Sequence, residues 1–409
     1  NHKWGYFPSF STGWRISKEG FWNENSIVND LKLRVGWGEV GNDQIGNYAS
    51  WGVVSPSANY VIGNIQVPGT ALSQMENADL RWEKTAQTNI GIDAYFLKSR
   101  ITFTADYYIK NTTDMLLNAP IPFSVGMGWN TSTSTKNVGS MNNKGLEFQV
   151  SSKNLVGKLK WSTDFNLSFN RSKITKLEKG VPIMGGFIDN RSAAAIAQEN
   201  QPLGTFYGYV AEGVDPQTGN MQYKDLDNSG DLSDGDKTII GYANPDFTYG
   251  LTNNFSYKGF TFSFFFQGVQ GNQIFNASRI VTEGMYYPVN QLATVLTRWK
   301  NPGDVTNMPK SDPGNENHNS DVSSRYVEDG SYLRLKSVTL GYDLPKSVCN
   351  LMKAQKLHVY VTGENPLTFT KYSGYDPEVS AYGVGIAPGI DFGSYPQSRS
   401  FMFGLNLNF

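Results

Sequence analysis

The oxygen-bearing side chains of residues 225–236 are the part of this sequence best suited to chemistry. Six donors fall at positions 1, 3, 5, 7, 9 and 12 of an EF-hand calcium loop: Asp225, Asp227, Ser229, Asp231, Ser233 and Asp236. Gly230 stands at position 6, where such a loop turns sharply, and Asp231 would bind through its backbone carbonyl. Position 12 carries Asp in place of the bidentate Glu, and no helical pattern flanks the loop. We predict a structural Ca²⁺ ion here; the alternative is a solvated turn without metal.

Aromatic side chains in the long loops form the second group of candidates. Their rings could stack on the C–H faces of sugar rings or dock a peptide. The candidates are Trp51, Tyr60, Trp129, Phe206, Tyr207, Tyr286 and Tyr287. Each could instead belong to an interfacial aromatic girdle or pack one loop against another. As a group they predict a ligand surface for an oligosaccharide or a peptide.

Catalysis and nucleic-acid binding find little support in the sequence. It has no nucleophile elbow, zinc-protease helix or phosphate-binding loop. The net charge is −1 and no basic cluster is interleaved with aromatics, which argues against nucleic acid as a partner. The three histidines are scattered and Cys349 is the only cysteine, so a zinc site lacks ligands and an internal disulfide is excluded. We expect a protein that is not an enzyme.

The elements that must position these loops are β-strands, and the last strand is the clearest. Its faces carry Phe401, Phe403, Leu405, Leu407 and Phe409 on one side and Met402, Gly404, Asn406 and Asn408 on the other. One face is therefore almost wholly apolar. Such a strand could be half-buried in a soluble sandwich, or it could close a transmembrane β-barrel whose outside meets lipid and whose inside meets water.

The same alternation recurs along the chain and predicts eleven strands. They are residues 6–14, 31–37, 90–96, 101–109, 146–150, 161–169, 247–257, 260–266, 332–342, 357–361 and 401–409. Within 332–342 the alternation changes parity near Lys336, which predicts a bulge. Connections of 2 to 16 residues alternate without exception with connections of 36 to 77 residues. Outer-membrane barrels have short periplasmic turns and long extracellular loops, so the pattern favours an all-β, antiparallel transmembrane β-barrel.

Composition and strand number refine this prediction. Charged residues make up only 17% of the chain, aromatics 13%, and no apolar run is long enough for a membrane-spanning helix. Eleven is odd, whereas a complete bacterial barrel has an even number of strands with both termini in the periplasm. Residues 1–409 are thus predicted to be the C-terminal part of one larger barrel, with 170–246 as a long extracellular loop. No signal peptide opens the chain, so we expect the N-terminus of the exported protein to lie elsewhere.

Short motifs in a characteristic order resemble the SusC/RagA-type TonB-dependent outer-membrane transporters, and the resemblance covers nearly all of the chain. The motifs are GYFPS (5–9), GWRI (13–16), LKLR (31–34) with Gly36, Gly38, Gly41 and Asn42, LRWEKT (80–85), NIGID (89–93), residues 106–110 with Thr113 and Asp114, GSMNNKGLE (139–147), YLRLK (332–336), ENPL (364–367), and Tyr372, Gly374, Asp376, Pro377 and Glu378. Each motif is weak alone, but together they are highly specific.

The resemblance implies a 22-stranded barrel in the outer membrane of a Bacteroidetes-type Gram-negative cell, with eleven of its strands in this chain. It further implies a SusD-like surface lipoprotein as an outer lid and a missing N-terminal part of the barrel, with a plug that couples to the TonB complex. Such transporters import oligosaccharides or peptides. An alternative from another class is a calcium-stabilised surface adhesin or structural barrel without a transport role. A plug and a TonB-interacting segment upstream of Asn1 would discriminate between the two.

Overall fold

The computed structural model describes residues 4–23, 27–44, 47–56, 58–120, 133–189, 192–383 and 385–409. Its largest element is one antiparallel sheet of eleven strands in sequence order. The strands are β1 (Ser9–Arg15), β2 (Val28–Asn42), β3 (Glu83–Phe96), β4 (Ile101–Pro120), β5 (Thr133–Val156), β6 (Leu159–Leu177), β7 (Phe247–Tyr257), β8 (Phe260–Gln270), β9 (Tyr332–Asp343), β10 (Lys356–Thr370) and β11 (Ser400–Asn408). All eleven predicted strands are confirmed.

Several strands run further than the sequence pattern indicated, β2 and β10 among them, and three neighbouring strands are the longest. β4, β5 and β6 have 20, 24 and 19 residues, and most of their extra length lies at the end of the sheet where the long connections are. The connection between β4 and β5 is therefore shorter than predicted. The long loop predicted at 170–246 begins only at residue 178, because β6 continues to Leu177.

The two-residue connection between the strands predicted at 247–257 and 260–266 and the bulge predicted near Lys336 are both present. β7 and β8 are joined by Lys258 and Gly259, which both have positive φ, as a two-residue hairpin turn of type I′ requires. In β9 the pairing register shifts between Leu335 and Ser337, which places the bulge at Lys336. The alternation of side chains along β9 changes parity there for this reason.

One face of the sheet is an apolar belt that stays exposed. Trp161 on β6 stacks on Phe255 of β7 with ring centroids 5.6 Å apart, and Phe255 contacts Phe262 of β8 at 6.1 Å. The exposed members of this face include Phe10, Trp14, Ile90, Tyr107, Leu146, Phe260, Phe262, Leu340, Phe369, Phe401, Phe403 and Leu405. A face this large and this apolar fits contact with lipid rather than water.

The opposite face carries hydrogen-bonded polar side chains. Ser151 of β5 donates to Asp164 of β6 at 2.6 Å, and Thr104 of β4 donates to Asp93 of β3 at 3.3 Å. Arg34 of β2 makes ion pairs with carboxylates of β3 and β4 on the same face. The two faces therefore differ as the outside and the lumen of a membrane barrel differ.

The sheet is open in the described part of the chain. β1 is paired there on one side, with β2, and β11 on one side, with β10. Both outer strands thus leave backbone hydrogen-bonding groups available along one edge.

Three of the long connections, residues 178–246, 271–331 and 371–399, fold together beyond the strand ends into one body, here called the cap. Its short strands are Ile183–Phe187, Ala193–Ala197, Thr205–Tyr209, Ala211–Val214, Met221–Tyr223, Lys237–Tyr242, Gln273–Asn276, Val327–Asp329 and Ile390–Asp391. Its helix is α1 (Ser278–Glu283), and its 3₁₀ turns are Glu178–Gly180, Asp234–Asp236, Ala293–Thr297, Pro313–Asn315 and Ser324–Tyr326.

The remaining elements are small. The connection 43–82 holds two ribbons, Val53–Ser55 with Ala71–Gln74 and Tyr60–Ile62 with Ile65–Val67. The short-turn end holds a 3₁₀ turn at Ile16–Lys18 and a helix, α2 (Lys346–Leu351). Within the described residues, no helix has the length and apolar character needed to cross a membrane.

Candidate functional site

The core of the cap is the scaffold on which the candidate residues sit. It is a closely packed apolar cluster drawn from all three connections: Ile188, Ala194, Ala195, Phe206, Phe275, Ala277, Ile280, Tyr286, Val322, Tyr326, Ala387 and Ile390. Phe275 and Ile390 also pair as parallel strand neighbours, which joins the second connection to the third. The cap is therefore a folded unit with its own interior and not three independent loops.

The calcium-type loop lies between two strands of the cap, Met221–Tyr223 and Lys237–Tyr242. Asn228 and Gly230 both have positive φ, so the backbone turns sharply at positions 4 and 6 of the loop. This folding brings one carboxylate oxygen each from Asp225, Asp227 and Asp236 within 4.8 Å of one another. The sequence spacing thus becomes a compact group of acidic oxygens.

Backbone N–H groups hold the first two carboxylates in place. Asp225 accepts from the N–H of Ser229 at 3.2 Å and of Gly230 at 3.0 Å, and Asp227 accepts from the N–H of Ser229 at 2.9 Å. The hydroxyl of Ser233 donates to Asp227 at 2.8 Å. Hydrogen bonds from Ser229 and Ser233 lower the pKa of Asp227, so the carboxylate stays ionised.

Asp236 closes the loop from its other end. Its side chain is buried and accepts from the N–H of Ser233 at 2.8 Å and of Leu226 at 2.7 Å. Ser233 returns a capping interaction, so the two residues form a capping box around the 3₁₀ turn. The N–H groups of Ser233 and Leu226 lower the pKa of Asp236. Asp236 is therefore an ionised ligand candidate that also shapes the loop.

The other predicted donors lie in the same turn. The hydroxyl of Ser229 donates to the backbone carbonyl of Asp231 at 2.9 Å, and that carbonyl is the predicted ligand at position 7. A cavity of about 240 Å³ opens beside the loop and is lined in part by Tyr223, Asp225 and His318. Hard oxygen donors in this number suit Ca²⁺. A calcium ion at residues 225–236 remains a prediction.

The aromatic candidates separate by burial. Phe206 has no exposed surface and contacts Phe275 with ring centroids 5.9 Å apart; Tyr286 is 5% exposed, and its hydroxyl donates to Asp189 at 2.9 Å. For these two residues the structure shows the alternative role, packing of one loop against another. A sequence alone does not show which loops meet, so it could not separate buried from exposed rings.

Four aromatic candidates are left. Trp51, Tyr60 and Tyr287 are exposed, and Tyr207 is half-buried. Trp129 lies outside the described residues. The structure places Trp51 and Tyr60 in the connection 43–82 and Tyr207 and Tyr287 in the cap, so they do not form one surface within a single loop.

A buried charge cluster was not predicted as a site. Arg334 at the start of β9 is 2% exposed; it donates to Thr368 at 2.9 Å and to Asp376 and Glu378 of the cap at 2.5 and 2.8 Å. Burial raises the pKa of Asp376, but the N–H of Glu378 and the guanidinium of Arg334 outweigh burial and lower it. These residues fasten the cap to the barrel wall. The signal in the sequence that could have pointed to this cluster is that Arg334, Asp376 and Glu378 all lie within the family motifs.

An open antiparallel sheet with a lipid-type face, a polar face and long connections at one end defines an outer-membrane β-barrel. Comparison with known proteins gives the particular family. The family described as TonB dependent receptor-like, beta-barrel matches residues 1–365. The chain belongs to this family, and its long connections lie outside the cell.

Individual relatives agree with the family match. TonB-dependent receptor P3 of Formosa agariphila is 34% identical over the whole chain, which covers 42% of that relative. TonB-dependent receptor SusC of Bacteroides thetaiotaomicron is 32% identical over the whole chain, which covers 40% of it. The structure of the RagAB peptide transporter matches with a TM-score of 0.82 and 28% identity, over 98% of this chain and 43% of that one.

These matches confirm the resemblance to SusC/RagA-type proteins and the location in the outer membrane of Bacteroidetes-type cells. The relatives bear the names of receptors and a transporter, not of enzymes. The chain spans about two fifths of the length of the relatives that it matches.

Proposed function

We propose that this chain is the C-terminal part of an active nutrient importer of the outer membrane, which takes up oligosaccharides or peptides. The observation that carries the proposal is the match to the RagAB peptide transporter over 98% of the chain with a TM-score of 0.82. Within that match lie both the membrane sheet and the cap. The shared architecture therefore includes the part that would meet a ligand outside the cell.

The open sheet supports the proposal that an N-terminal part of the same barrel completes the structure. Among the residues that the structure describes, β1 and β11 each have one edge without a partner strand, and such edges favour pairing with further strands. Closure would turn the polar face, with Arg34 and its carboxylate partners, into a lumen wall. In the proposal a plug fills that lumen and couples the barrel to the TonB complex.

A SusD-like surface lipoprotein is the proposed lid. The cap offers the lipoprotein a preformed binding surface, because the core of the cap is packed and Arg334 ties the cap to β9. RagAB has been solved in states described as open-open and closed-closed. By analogy, we expect lid movement, and not chemistry by this chain, to control access of the nutrient.

Calcium would serve this arrangement as a structural ion. An ion held by Asp225, Asp227 and Asp236 would stiffen an exposed segment of the cap against which a lid or a nutrient rests. The exposed rings of Trp51, Tyr60 and Tyr287 and the half-buried ring of Tyr207 are the remaining proposed ligand contacts.

Uptake by cells tests the proposal. Cells that express the full-length protein, cells that lack it and cells that lack TonB are given labelled oligopeptides in one assay and labelled oligosaccharides in another. We expect one of the two nutrients to accumulate only when both the protein and TonB are present, which also identifies the substrate class. Equal accumulation of both nutrients in all three strains would refute an importer. Purification from membranes should recover the lipoprotein with the barrel.

A further inference from the structure

The short turns between the strands carry a charge bias that the proposed function does not explain. Four of them, residues 97–100, 157–158, 258–259 and 344–355, contain no acidic residue. Their six basic residues, here called the basic arc, are Lys98, Arg100, Lys158, Lys258, Lys346 and Lys353. The long connection 178–246 has the opposite bias, with eleven acidic residues against four basic ones. Positive charge is therefore concentrated at the short-turn end of the sheet.

The sheet topology places the basic arc along one rim. The strands from β3 to β10 are consecutive neighbours, so the four turns follow one another at the same end. Neighbouring strands lie about 5 Å apart, so successive turns are roughly 10 Å apart. All six basic side chains are exposed. Because the long connections lie outside the cell, this rim lies at the inner leaflet of the outer membrane.

Protein carboxylates do not neutralise the basic arc in the part of the chain that the structure describes. Arg100 donates to two backbone carbonyls of β5 at 3.0 and 2.8 Å, which hold the guanidinium without removing its charge. Asp343, the acidic residue at the end of β9, pairs instead with Lys356 at 3.1 Å and with His358 at 2.7 Å. The basic arc is thus left to bind anions from outside this chain.

Apolar side chains of the lipid-type face lie directly beside the basic arc. The ammonium of Lys258 is 5.4 Å from the ring centroid of Tyr257, and Tyr257 lies on the apolar face with its strand partners Leu159 and Phe260. Tyr257, Leu159 and Phe260 are 44%, 41% and 54% exposed. Lys258 therefore stands at the edge of the apolar belt. Long basic side chains at such an edge keep their apolar stem in hydrocarbon and their charge among the headgroups.

The turn 344–355 combines basic and exposed apolar residues in the same way. Leu351, the last residue of α2, is 86% exposed, and Met352 is 47% exposed. Lys346 at the start of α2 and Lys353 flank this apolar pair. Exposed apolar residues next to basic ones are typical of segments that lie in a membrane interface. A solvated periplasmic surface does not account for the apolar half of the pattern.

We propose that the basic arc binds the phosphates of anionic phospholipids in the inner leaflet of the outer membrane, while Leu351 and Met352 enter the hydrocarbon. Charge complementarity selects an anionic lipid. Continuity with the apolar belt favours a lipid over a periplasmic protein or peptidoglycan. Such contacts would fix the height of the barrel in the membrane and gather anionic lipid around it. The inference rests on the orientation of the barrel and not on nutrient import.

Lipid association in nanodiscs tests the basic arc. The full-length protein is placed in nanodiscs of phosphatidylcholine and phosphatidylglycerol, and electron paramagnetic resonance measures how much spin-labelled lipid of each kind is immobilised at its surface. We expect phosphatidylglycerol to associate several times more strongly than phosphatidylcholine, and less so at high salt, because ions screen exposed charges. Lys158→Gln with Lys258→Gln and Lys353→Gln should lose most of that preference.

The matched control removes the same charge from the cap. Lys179→Gln with Lys224→Gln and Lys300→Gln changes three exposed lysines far from the rim, so this variant should keep the preference. Equal association of the two lipids with the unmodified protein would overturn the proposal, and so would a preference that the basic-arc variant retains. Binding to purified peptidoglycan that depends on the basic arc, without a lipid preference, would also overturn it.

Photo-crosslinking tests the position of α2. A benzophenone amino acid replaces Leu351 in one variant and Asn406 in the other, and the full-length protein is irradiated in membranes that contain radiolabelled phospholipid. Asn406 lies near the same end of the sheet but on its polar face. We expect several times more lipid adduct from the Leu351 probe. Equal adducts, or crosslinks from residue 351 to protein alone, would overturn the insertion. Neither test measures nutrient uptake, so failure of the importer proposal and failure of this inference are distinguishable.

Discussion

Arg34 on β2 reaches across β3 to Asp106 on β4, with its Nη2 atom 3.1 Å from the carboxylate. The same guanidinium binds Asp93 of β3 at 2.8 Å through Nε. Gly91 lies between Arg34 and Asp106 in the pairing register, and its lack of a side chain leaves room for the contact. Three strands of the barrel wall are therefore tied together by one arginine on the polar face.

Gly91→Ala should break this arrangement. A Cβ atom at residue 91 would lie 2.2 Å from Oδ1 of Asp106 and 2.7 Å from Nη2 of Arg34. The atoms it meets are the ends of partly exposed side chains that can move away, so we expect the loss of the ion pair to cost about 1 kcal/mol in the free energy of unfolding, measured by urea titration of the full-length protein in detergent. Gly36→Ala is the matched control, because its Cβ would meet only Ser11 Cβ at 3.7 Å and a carbonyl at 4.0 Å. Equal losses in the two variants would contradict the explanation.

Arg334→Met should loosen the cap from the barrel. The change leaves the carboxylate of Asp376, which is 5% exposed, without its guanidinium partner. An uncompensated buried charge costs about 3–5 kcal/mol. We expect proteolysis of residues 371–399 on intact cells to become many times faster.

Lys336→Met provides the comparison for that variant. Lys336 pairs with Glu378 at 2.8 Å, but both side chains are partly exposed, so the loss should be about 0–1 kcal/mol. If residues 371–399 are cleaved as fast in the Lys336 variant as in the Arg334 variant, burial of the ion pair does not explain the effect of Arg334→Met.

Calcium removal should expose the loop at 225–236. We expect a chelator to speed protease cleavage within residues 215–245, because the three clustered carboxylates then repel one another without an ion. Asp225→Asn with Asp227→Asn should be cleaved rapidly with or without calcium. Asp231→Asn should respond as the unmodified protein does, since its carbonyl and not its carboxylate is the proposed ligand. Cleavage that ignores the chelator in the unmodified protein would remove calcium from the proposal.

Acidification should weaken the same loop. The pKa values of Asp227 and Asp236 lie below the ordinary 3.8, so both groups stabilise the folded loop when ionised. That stabilisation is complete above the unfolded pKa and is lost as the pH falls through the lowered folded values. Hydrogen exchange of residues 225–236, corrected for intrinsic rates, should be constant above about pH 5 and accelerate toward about pH 3. Protection that rises on acidification would contradict this sign.

Phe206→Ala should disorder the cap while the barrel stays folded. The ring is completely buried, and deletion of a buried Phe side chain costs about 3–5 kcal/mol. We expect rapid proteolysis of the cap with unchanged heat-modifiable migration of the barrel on gels. Phe187→Ala is the control, since Phe187 is 57% exposed and should cost little. If the Phe206 variant loses both the protease resistance of the cap and the heat-modifiable migration of the barrel, the cap and the barrel do not fold separately.

The strands were predictable because lipid on one face and water on the other impose strict alternation. Phe401 to Leu407 show this at β11, and Phe260 to Phe266 show it at β8. The pattern fails where β4, β5 and β6 continue beyond the apolar belt. There Asn111 and Lys173 need not alternate with apolar residues, so the strand ends were placed too early.

The candidate site divides in the same way. The calcium-type loop is local, so the spacing from Asp225 to Asp236 was enough to bring its carboxylates together. Burial of Phe206 depends on Phe275, and burial of Arg334 depends on Asp376, which lies 42 residues away in sequence. Contacts between separate loops produce no repeating pattern in a single sequence, so the burial of Phe206 and Arg334 could be seen only in the structure.

The interior of the cap has a consequence for how the protein is made. Ile390 lies against Gly186 and pairs with Phe275, so the third connection completes a core that the first and second connections share. Contacts so distant in sequence form late in folding. During export, Phe206 and Phe275 would therefore be only partly covered until residues 387–390 reach the outer surface. A chain whose export stops before that point would expose a second apolar region, the core of the cap, besides the apolar belt of the sheet. Periplasmic chaperones and proteases could recognise that region as a mark of incomplete export.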